Sequence, residues 1–167
     1  DVAWLDVTMD DAEHVGMLLV TAAIGLIAVA GWIFDIESLK RVIPGLVSMK
    51  FNTALSFALA GAALWWRKIP PVRLGLGLAV ALIGALTLAE YLSGLDLGID
   101  QLFVRDLETT ARSPAGRMSP VTAAYFLLAG TVLAAIGTSR AAIRILADGL
   151  ATALAVTALA ALVGYAA

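Results

Sequence analysis

The sequence predicts an all-α integral membrane protein with five transmembrane helices, built from tandem parallel helix-pair repeats. Two observations predict this fold class. The chain is 61% hydrophobic and only 14% charged, whereas a soluble domain is about half apolar and about a quarter charged. Five apolar segments without charges also recur along the chain, and about 20 such residues can cross a hydrocarbon core about 30 Å thick.

These apolar segments span residues 15–34, 51–66, 74–89, 119–139 and 149–167. The second and third are short for a crossing. Lys50 and Arg67 flank the second segment, and their long side chains can extend from its ends towards water. Glu90 follows the third segment, where we expect it to lie at the membrane interface. We therefore expect all five segments to cross the membrane.

A repeated motif predicts how the helices are organised. Residues 49–61 read MKFNTALSFALAG and residues 118–130 read MSPVTAAYFLLAG, with seven of thirteen positions identical. On a helix, the positions shared in the first copy fall on one face together with Leu64. The four shared positions on this face are Thr53, Phe57, Ala60 and Gly61. We predict that the motif is a packing surface rather than a catalytic one.

A second alignment extends the repeat to the preceding helices. Residues 24–32 (IGLIAVAGW) align with residues 83–91 (IGALTLAEY), and a longer loop follows each. The sequence thus predicts a single membrane domain over 1–167. It contains repeat one at 15–66, repeat two at 74–137 and the start of a third at 149–167. We expect a sixth span beyond residue 167 and further residues before Asp1.

The longer loops contain shorter predicted elements. Residues 35–48 have the spacing of an amphipathic interfacial segment, broken at Pro44 and Gly45. Residues 95–103 predict a turn and a second amphipathic piece, and residues 108–117 a flexible polar stretch. Basic residues are denser in the two shorter turns, which favours a cytoplasmic position for those turns and an outward position for the longer loops.

Several classes of function are disfavoured by composition. The chain has no basic stripe interleaved with aromatic residues, so we expect no nucleic-acid partner. It has no cysteine, which excludes disulfides and thiolate metal sites. No catalytic motif is present, and these residues are not expected to form an enzyme. Asp96 and Asp100 only partly match a calcium loop, so they are predicted to be solvated and no metal site is expected.

The single histidine of the chain, His14, lies at the predicted start of the first helix. An interfacial or helix-capping histidine is the plainer interpretation. The alternative is axial ligation of a haem or a pigment, for which imidazole is a suitable ligand. No cofactor is identified by the sequence.

The repeat also predicts a candidate site. Odd-numbered helices end, and even-numbered helices begin, on the same side of the membrane, which brings polar and aromatic residues to one level. They are Trp32, Asn52, Thr53, Ser56, Glu90, Tyr91, Thr122 and Tyr125. One interpretation is a set of interhelical hydrogen bonds. The other is a small-ligand pocket near the outer leaflet, with Asn52 and Glu90 as polar contacts.

Three phrases carry a resemblance to a known family. They are MKFNTALSF at 49–57, EYLSGLDLGIDQLF at 90–103 and GRMSPVTA at 116–123. They resemble the multi-pass membrane input region that precedes PAS, histidine-kinase and diguanylate-cyclase (GGDEF) modules in bacterial signalling proteins. The sequence departs from the family pattern at Val121, where asparagine is usual, and it lacks the final helix and the output module.

The resemblance implies a sensory domain in the bacterial inner membrane. Such a domain would read a small ligand or the state of the bilayer and pass the signal to a cytoplasmic module on the same chain, as a homodimer. The alternative is a structural or accessory subunit of a larger respiratory or photosynthetic complex. Half of a transporter is a weaker alternative, because the sequence has no charged residue at mid-membrane and no broken helix.

Overall fold

The computed structural model describes residues 11–41, 48–106 and 114–136, and within these residues the protein is all-helical. The elements in chain order are α1 (Asp11–Ile33), α2 (Glu37–Lys40), α3 (Phe51–Trp65), α4 (Pro70–Ser93), a 3-10 turn (Ile99–Gln101) and α5 (Pro120–Ala135). The predicted all-α class is confirmed for this part of the chain. The predicted helix at 149–167 lies outside the described residues.

Helix α4 is longer at both ends than the apolar segment predicts. Pro70 occupies the first turn of the helix, where its missing N–H is not needed for a helical hydrogen bond. At the other end, Gly94 adopts a left-handed conformation (φ 70°) and its N–H donates to the Glu90 carbonyl at 2.9 Å. Glu90 therefore lies inside the last helical turn, not beyond the end of the helix.

The helices pack in two pairs, α1 with α3 and α4 with α5, and α3 joins the pairs by packing on α4. A glycine lies at the close approach in each pair. A Cβ at Gly25 would collide with the backbone nitrogen of Ala58, and a Cβ at Gly84 would lie 2.6 Å from the backbone nitrogen of Leu127. These are equivalent positions in the two alignments, so the same contact between helix backbones recurs in both pairs.

The two copies of the repeated motif also contact each other. Phe57 of α3 and Phe126 of α5 occupy the same position in the motif, and their rings meet edge to face with centroids 5.1 Å apart. Gly61 of α3 instead approaches Ala22 of α1. The shared residues therefore form packing contacts, as expected, but these contacts involve two different neighbouring helices.

One described helix, α4, is long and apolar enough to cross a membrane. Three other apolar helical stretches are shorter, with 10–17 residues each: Leu19–Ile33, Phe51–Trp65 and Pro120–Ala135. The predicted number of crossings is therefore not established by helix length.

Candidate functional site

Polar side chains at the ends of the helices hold the loop between α4 and α5. The Asn52 amide, near the start of α3, donates to the Ile99 carbonyl at 3.1 Å. The Tyr91 hydroxyl, near the end of α4, donates to the Met118 carbonyl at 3.1 Å. Both side chains are near the same end of the helical assembly, and both bind loop backbone.

Arg117 lies at the centre of this region. Its Nε donates to Asp100 Oδ2 at 2.6 Å, and its Nη2 lies 3.3 Å from Glu90 Oε1 and 3.7 Å from Asp96 Oδ1. The guanidinium is also 5.5 Å from the centroid of the Tyr91 ring. Burial alone would lower the pKa of Arg117, but the hydrogen bond to Asp100 and the nearby carboxylates raise it above its ordinary value. Arg117 therefore remains charged.

The three acidic residues around Arg117 differ in exposure. Glu90 is fully buried, and its Oε1 also accepts the Leu97 N–H at 2.7 Å. Asp100 is buried, whereas the side chain of Asp96 is 81% exposed. The expected solvation of the loop acids is therefore correct for Asp96 and wrong for Asp100. Glu90 lies at the end of a helix, as expected, but its side chain is enclosed by protein.

The flexibility predicted for residues 108–117 is wrong at the end of this stretch. Arg117, its last residue, is buried and bonded to Asp100, although residues 107–113 lie outside the described part of the chain. Gly116 precedes Arg117 with φ 75° and lies so close to the Asp100 carbonyl that a Cβ would be 2.6 Å from its oxygen. The backbone at this point therefore requires glycine.

A second buried ion pair ties α3 to the same loop. Lys50 Nζ lies 2.7 Å from Asp106 Oδ2, and only 7% and 5% of the two side chains are exposed. Gln101 holds the Asp106 backbone on both sides, donating to its carbonyl at 2.8 Å and accepting its N–H at 2.9 Å. Lys50 was expected to extend towards water from the end of the helix, and that expectation is wrong because Asp106 draws it inwards.

A polar cavity of about 390 Å³ lies beside this ion pair. It is lined by Trp32, Glu37, Lys40, Arg41, Ser48, Arg105 and Asp106. The Trp32 ring forms one wall of the cavity. Two contacts hold the ring in place: its Nε1 donates to the Met49 carbonyl at 2.8 Å, and Lys40 Nζ lies 4.7 Å from the ring centroid.

Lys40 is held in the cavity wall by two carboxylates. Its Nζ lies 2.6 Å from Asp35 Oδ1 and 2.7 Å from Glu37 Oε1. The hydrogen bond and charge of Lys40 lower the pKa of Asp35, and the hydrogen bonds to Asp35 and Glu37 raise the pKa of Lys40 in spite of its burial. The segment predicted to be amphipathic at 35–48 thus contains the one-turn helix α2, and its residues 42–47 lie outside the described part.

The residues of the predicted pocket are distributed over several contacts. Trp32 is the member that lines the cavity. Asn52, Glu90 and Tyr91 bind the loop, and Ser56 Oγ donates to the Asn52 carbonyl at 2.7 Å. Thr122 lies at the start of α5, where its N–H donates to Ser119 Oγ at 3.1 Å. Thr53 and Tyr125 are half-buried. The side chain of His14, the possible haem or pigment ligand, lies outside the described side chains.

Sequence reasoning did not select Lys40, Arg105, Asp106 or Arg117 as site residues. The available signal was weak, because a charged residue in a loop is ordinarily solvated. Lys40 is instead placed by the one-turn helix α2 and the other three by loop folding, and the pattern of apolar segments reveals neither.

Comparisons of the chain with protein-family models, with curated proteins and with solved structures find no match. The resemblance to bacterial membrane input regions therefore depends on the sequence phrases at 49–57, 90–103 and 116–123 alone.

Proposed function

We propose that the chain is a membrane-embedded signal-input domain of a bacterial signal-transduction protein in the inner membrane. It binds a small ligand at the loop end of its helices and transmits the signal to a cytoplasmic kinase or cyclase module on the same chain. The observation that carries this proposal is the cavity of about 390 Å³ between α1, α2 and the loop after α4. Ligand sites in proteins are typically about 300–1,000 Å³ in volume.

The solvent-facing surface supports placement in a membrane. Only 28% of the most apolar window of α4 is buried, whereas the core helix of a soluble protein is mostly covered. Leu74, Leu78 and Leu82 follow one another at intervals of four residues, and they are 45%, 54% and 57% exposed. Exposing such a stripe to water is unfavourable by about 25 cal/mol for each Å² of apolar surface, and lipid removes this cost.

The five-crossing topology is part of the proposal. Helix α3 has 15 residues, which gives a length of about 22 Å, less than the hydrocarbon thickness of about 30 Å. Trp65 and Trp66 are exposed at one end of it, where tryptophan is favoured at the membrane interface. Local thinning of the bilayer accommodates a short helix at modest cost.

The chemistry of the cavity favours a small anionic ligand. Three of its lining residues are cationic and two are acidic. Asp106 is already paired with Lys50, Lys40 with Asp35 and Glu37, and Arg41 with Glu37. Arg105 is exposed at the cavity, so its guanidinium is accessible for two hydrogen bonds to a carboxylate or a phosphate. The Trp32 ring provides an apolar wall beside these charges.

Membrane topology is testable because the chain has no cysteine. Single cysteines at Phe103, in the loop after α4, and at Lys68, between α3 and α4, would be treated in intact cells with a membrane-impermeant maleimide. We expect labelling of Phe103→Cys alone, with Lys68→Cys labelled only after lysis. Equal labelling of both in intact cells, or recovery of the protein in the soluble fraction, would contradict the topology.

Ligand binding is testable on the chain in lipid nanodiscs. A panel of small mono- and dicarboxylates and inorganic phosphate would be screened by thermal shift. The best compound would then be titrated against Arg105→Ala and, as a matched control at the opposite end of the helices, Lys68→Ala. We expect the Arg105 change alone to weaken binding. No shift with any anion would contradict an anion-sensing cavity.

The alternative of an accessory subunit is favoured by the same exposed stripe on α4, which could contact another protein within the membrane. The mass of the particle extracted from native membranes in a mild detergent distinguishes the two. A sensor is expected to migrate as a dimer of its own chain. Co-purification in fixed stoichiometry with a larger redox complex would favour the subunit instead.

A further inference from the structure

The three carboxylates around Arg117 each keep one oxygen that Arg117 does not use. The guanidinium contacts Oδ2 of Asp100, Oε1 of Glu90 and Oδ1 of Asp96. This leaves Asp100 Oδ1, Glu90 Oε2 and Asp96 Oδ2. The first two are buried and have no hydrogen-bond partner among the residues that the structure describes.

Burying these oxygens without a hydrogen-bond partner is energetically unfavourable. A buried acceptor without a partner costs about 1–3 kcal/mol, and more when it is charged. One guanidinium faces three carboxyl groups, so the cluster has an excess of negative charge when all three are ionised. Glu90 is fully buried and Asp100 nearly so, so water does not screen this excess effectively. A further positive charge would remove both penalties.

The spacing of the three carboxyl groups is suitable for a metal ion. One oxygen from each of Glu90, Asp96 and Asp100 lies within 4.8 Å of the other two. Calcium binds oxygen ligands at about 2.3–2.6 Å, which places two of its ligands up to about 5 Å apart. The cluster supplies two ligands from buried side chains and a third from Asp96, which is 81% exposed. The exposed side leaves room for water molecules to complete the coordination.

We propose that Glu90, Asp96 and Asp100 form a binding site for a divalent cation of the size of calcium. Calcium accepts irregular oxygen coordination, whereas magnesium requires a near-octahedral arrangement at shorter distances. The bound ion links the last turn of α4 to the loop that follows it. The site does not depend on the sensory function, because it uses none of the residues that line the cavity beside Trp32.

The experiment uses the whole chain, purified in detergent and stripped with a chelator. Calcium is titrated by calorimetry. Terbium is titrated in parallel, with its luminescence excited through Tyr91, which is adjacent to the cluster. We expect one ion per chain and a rise in the melting temperature on addition of calcium. The variant Asp96→Asn is the main test, because Asp96 is exposed and its loss leaves the buried contacts of Arg117 with Asp100 and Glu90 in place.

We expect Asp96→Asn to weaken calcium binding by at least about tenfold, since even residues outside the first coordination sphere affect metal affinity by about 10–100-fold. The matched control is Glu37→Gln, which removes an exposed carboxylate at α2 and should leave calcium affinity unchanged. Asp100→Asn serves as a second variant if it folds.

Two results would overturn the proposal. Absence of calcium binding and of a thermal shift in the unmodified chain would mean that the excess charge is neutralised in another way, by a proton shared between Glu90 and Asp100. Equal weakening by Asp96→Asn and Glu37→Gln would mean that calcium associates only with the general negative charge of the surface.

Discussion

Arg117 Nε and Asp100 Oδ2 lie 2.6 Å apart, joined across 17 residues of the loop between α4 and α5. This ion pair has 9% and 4% of its side chains exposed, and it fixes the start of α5 against the 3-10 turn. Because Arg117 also contacts Glu90 of α4, one side chain connects three parts of the fold.

We predict that Arg117→Ala lowers the free energy of unfolding by about 3–5 kcal/mol, since it leaves buried carboxylates without their cation. Unfolding in mixed detergent, followed by circular dichroism, measures the effect. Arg117→Lys should recover only part of the loss, because an ammonium cannot reproduce the planar fork of the guanidinium. A loss below about 0.5 kcal/mol for Arg117→Ala would show that the cluster contributes little to stability.

The close approach of α4 and α5 gives a prediction with an internal control. A Cβ at Gly84 would lie 2.5 Å from the Ala123 carbonyl oxygen, whereas a Cβ at Gly75 of the same helix would meet nothing within 4 Å. We expect Gly84→Ala to destabilise the protein by about 1–3 kcal/mol through overpacking. Gly75→Ala should instead stabilise it by up to about 1 kcal/mol, through helix propensity alone.

Thermal unfolding of both variants in the same detergent checks these signs. A stabilising effect of Gly84→Ala would show that α4 and α5 are farther apart than described. Gly25→Ala, at the equivalent position in the first pair, should destabilise the protein for the same reason as Gly84→Ala.

The Lys50–Asp106 pair predicts a strong coupling between the two residues. Removing either side chain alone, by Lys50→Met or Asp106→Leu, should cost about 3–5 kcal/mol, because this breaks the buried ion pair while one of its two charges remains buried. The double variant should be more stable than the less stable single variant, since neither buried charge of the pair remains. A double-mutant cycle measures this coupling, and additive losses would contradict it.

The Asp35–Lys40 ion pair predicts a dependence of stability on pH. The pKa of Asp35 is lowered in the folded protein, so its contribution is present above the ordinary pKa of about 3.9 and is lost as pH falls through the lowered value. The pKa of Lys40 is raised, so its contribution is complete below about pH 10 and is lost as pH rises through the raised value.

The effect should be small, because Asp35 is exposed to water. Its titration, followed by carboxyl-carbon NMR, should give a midpoint below the ordinary aspartate pKa of about 3.9. Asp35→Asn retains a residue that tolerates the left-handed backbone found here, with φ 55°. This variant should reduce the acid sensitivity of the region around Trp32. A normal titration midpoint for Asp35 would contradict the pairing.

Part of the candidate site could be predicted from the sequence. The repeat placed Trp32, Asn52, Glu90 and Tyr91 near the ends of helices that share one side, and in the structure Asn52, Glu90 and Tyr91 all contact the loop after α4. Their roles were not predictable, because the alignment gives no information on the path of the loop. The cavity lining and the burial of Arg117 depend on that path.

The sequence by itself determined that four of the five apolar segments form helices in the described part of the chain, and which glycines are equivalent in the two repeats. Both properties depend on local composition: apolar runs without charges favour a helix in a non-aqueous environment, and small residues allow two backbones to approach closely. Thus the equivalence of Gly25 and Gly84 could be read from the alignment alone.

Only the tertiary structure determined which charged residues are buried and which are solvated. Lys50, Glu90, Asp100 and Arg117 all belong to types that are ordinarily solvated, and all four are buried. Their burial depends on partners distant in sequence, such as Lys50 and Asp106, which are 56 residues apart. A charge is favourable inside a protein only when an opposite charge is close enough to pair with it. The folded path of the chain determines whether such a charge is close enough.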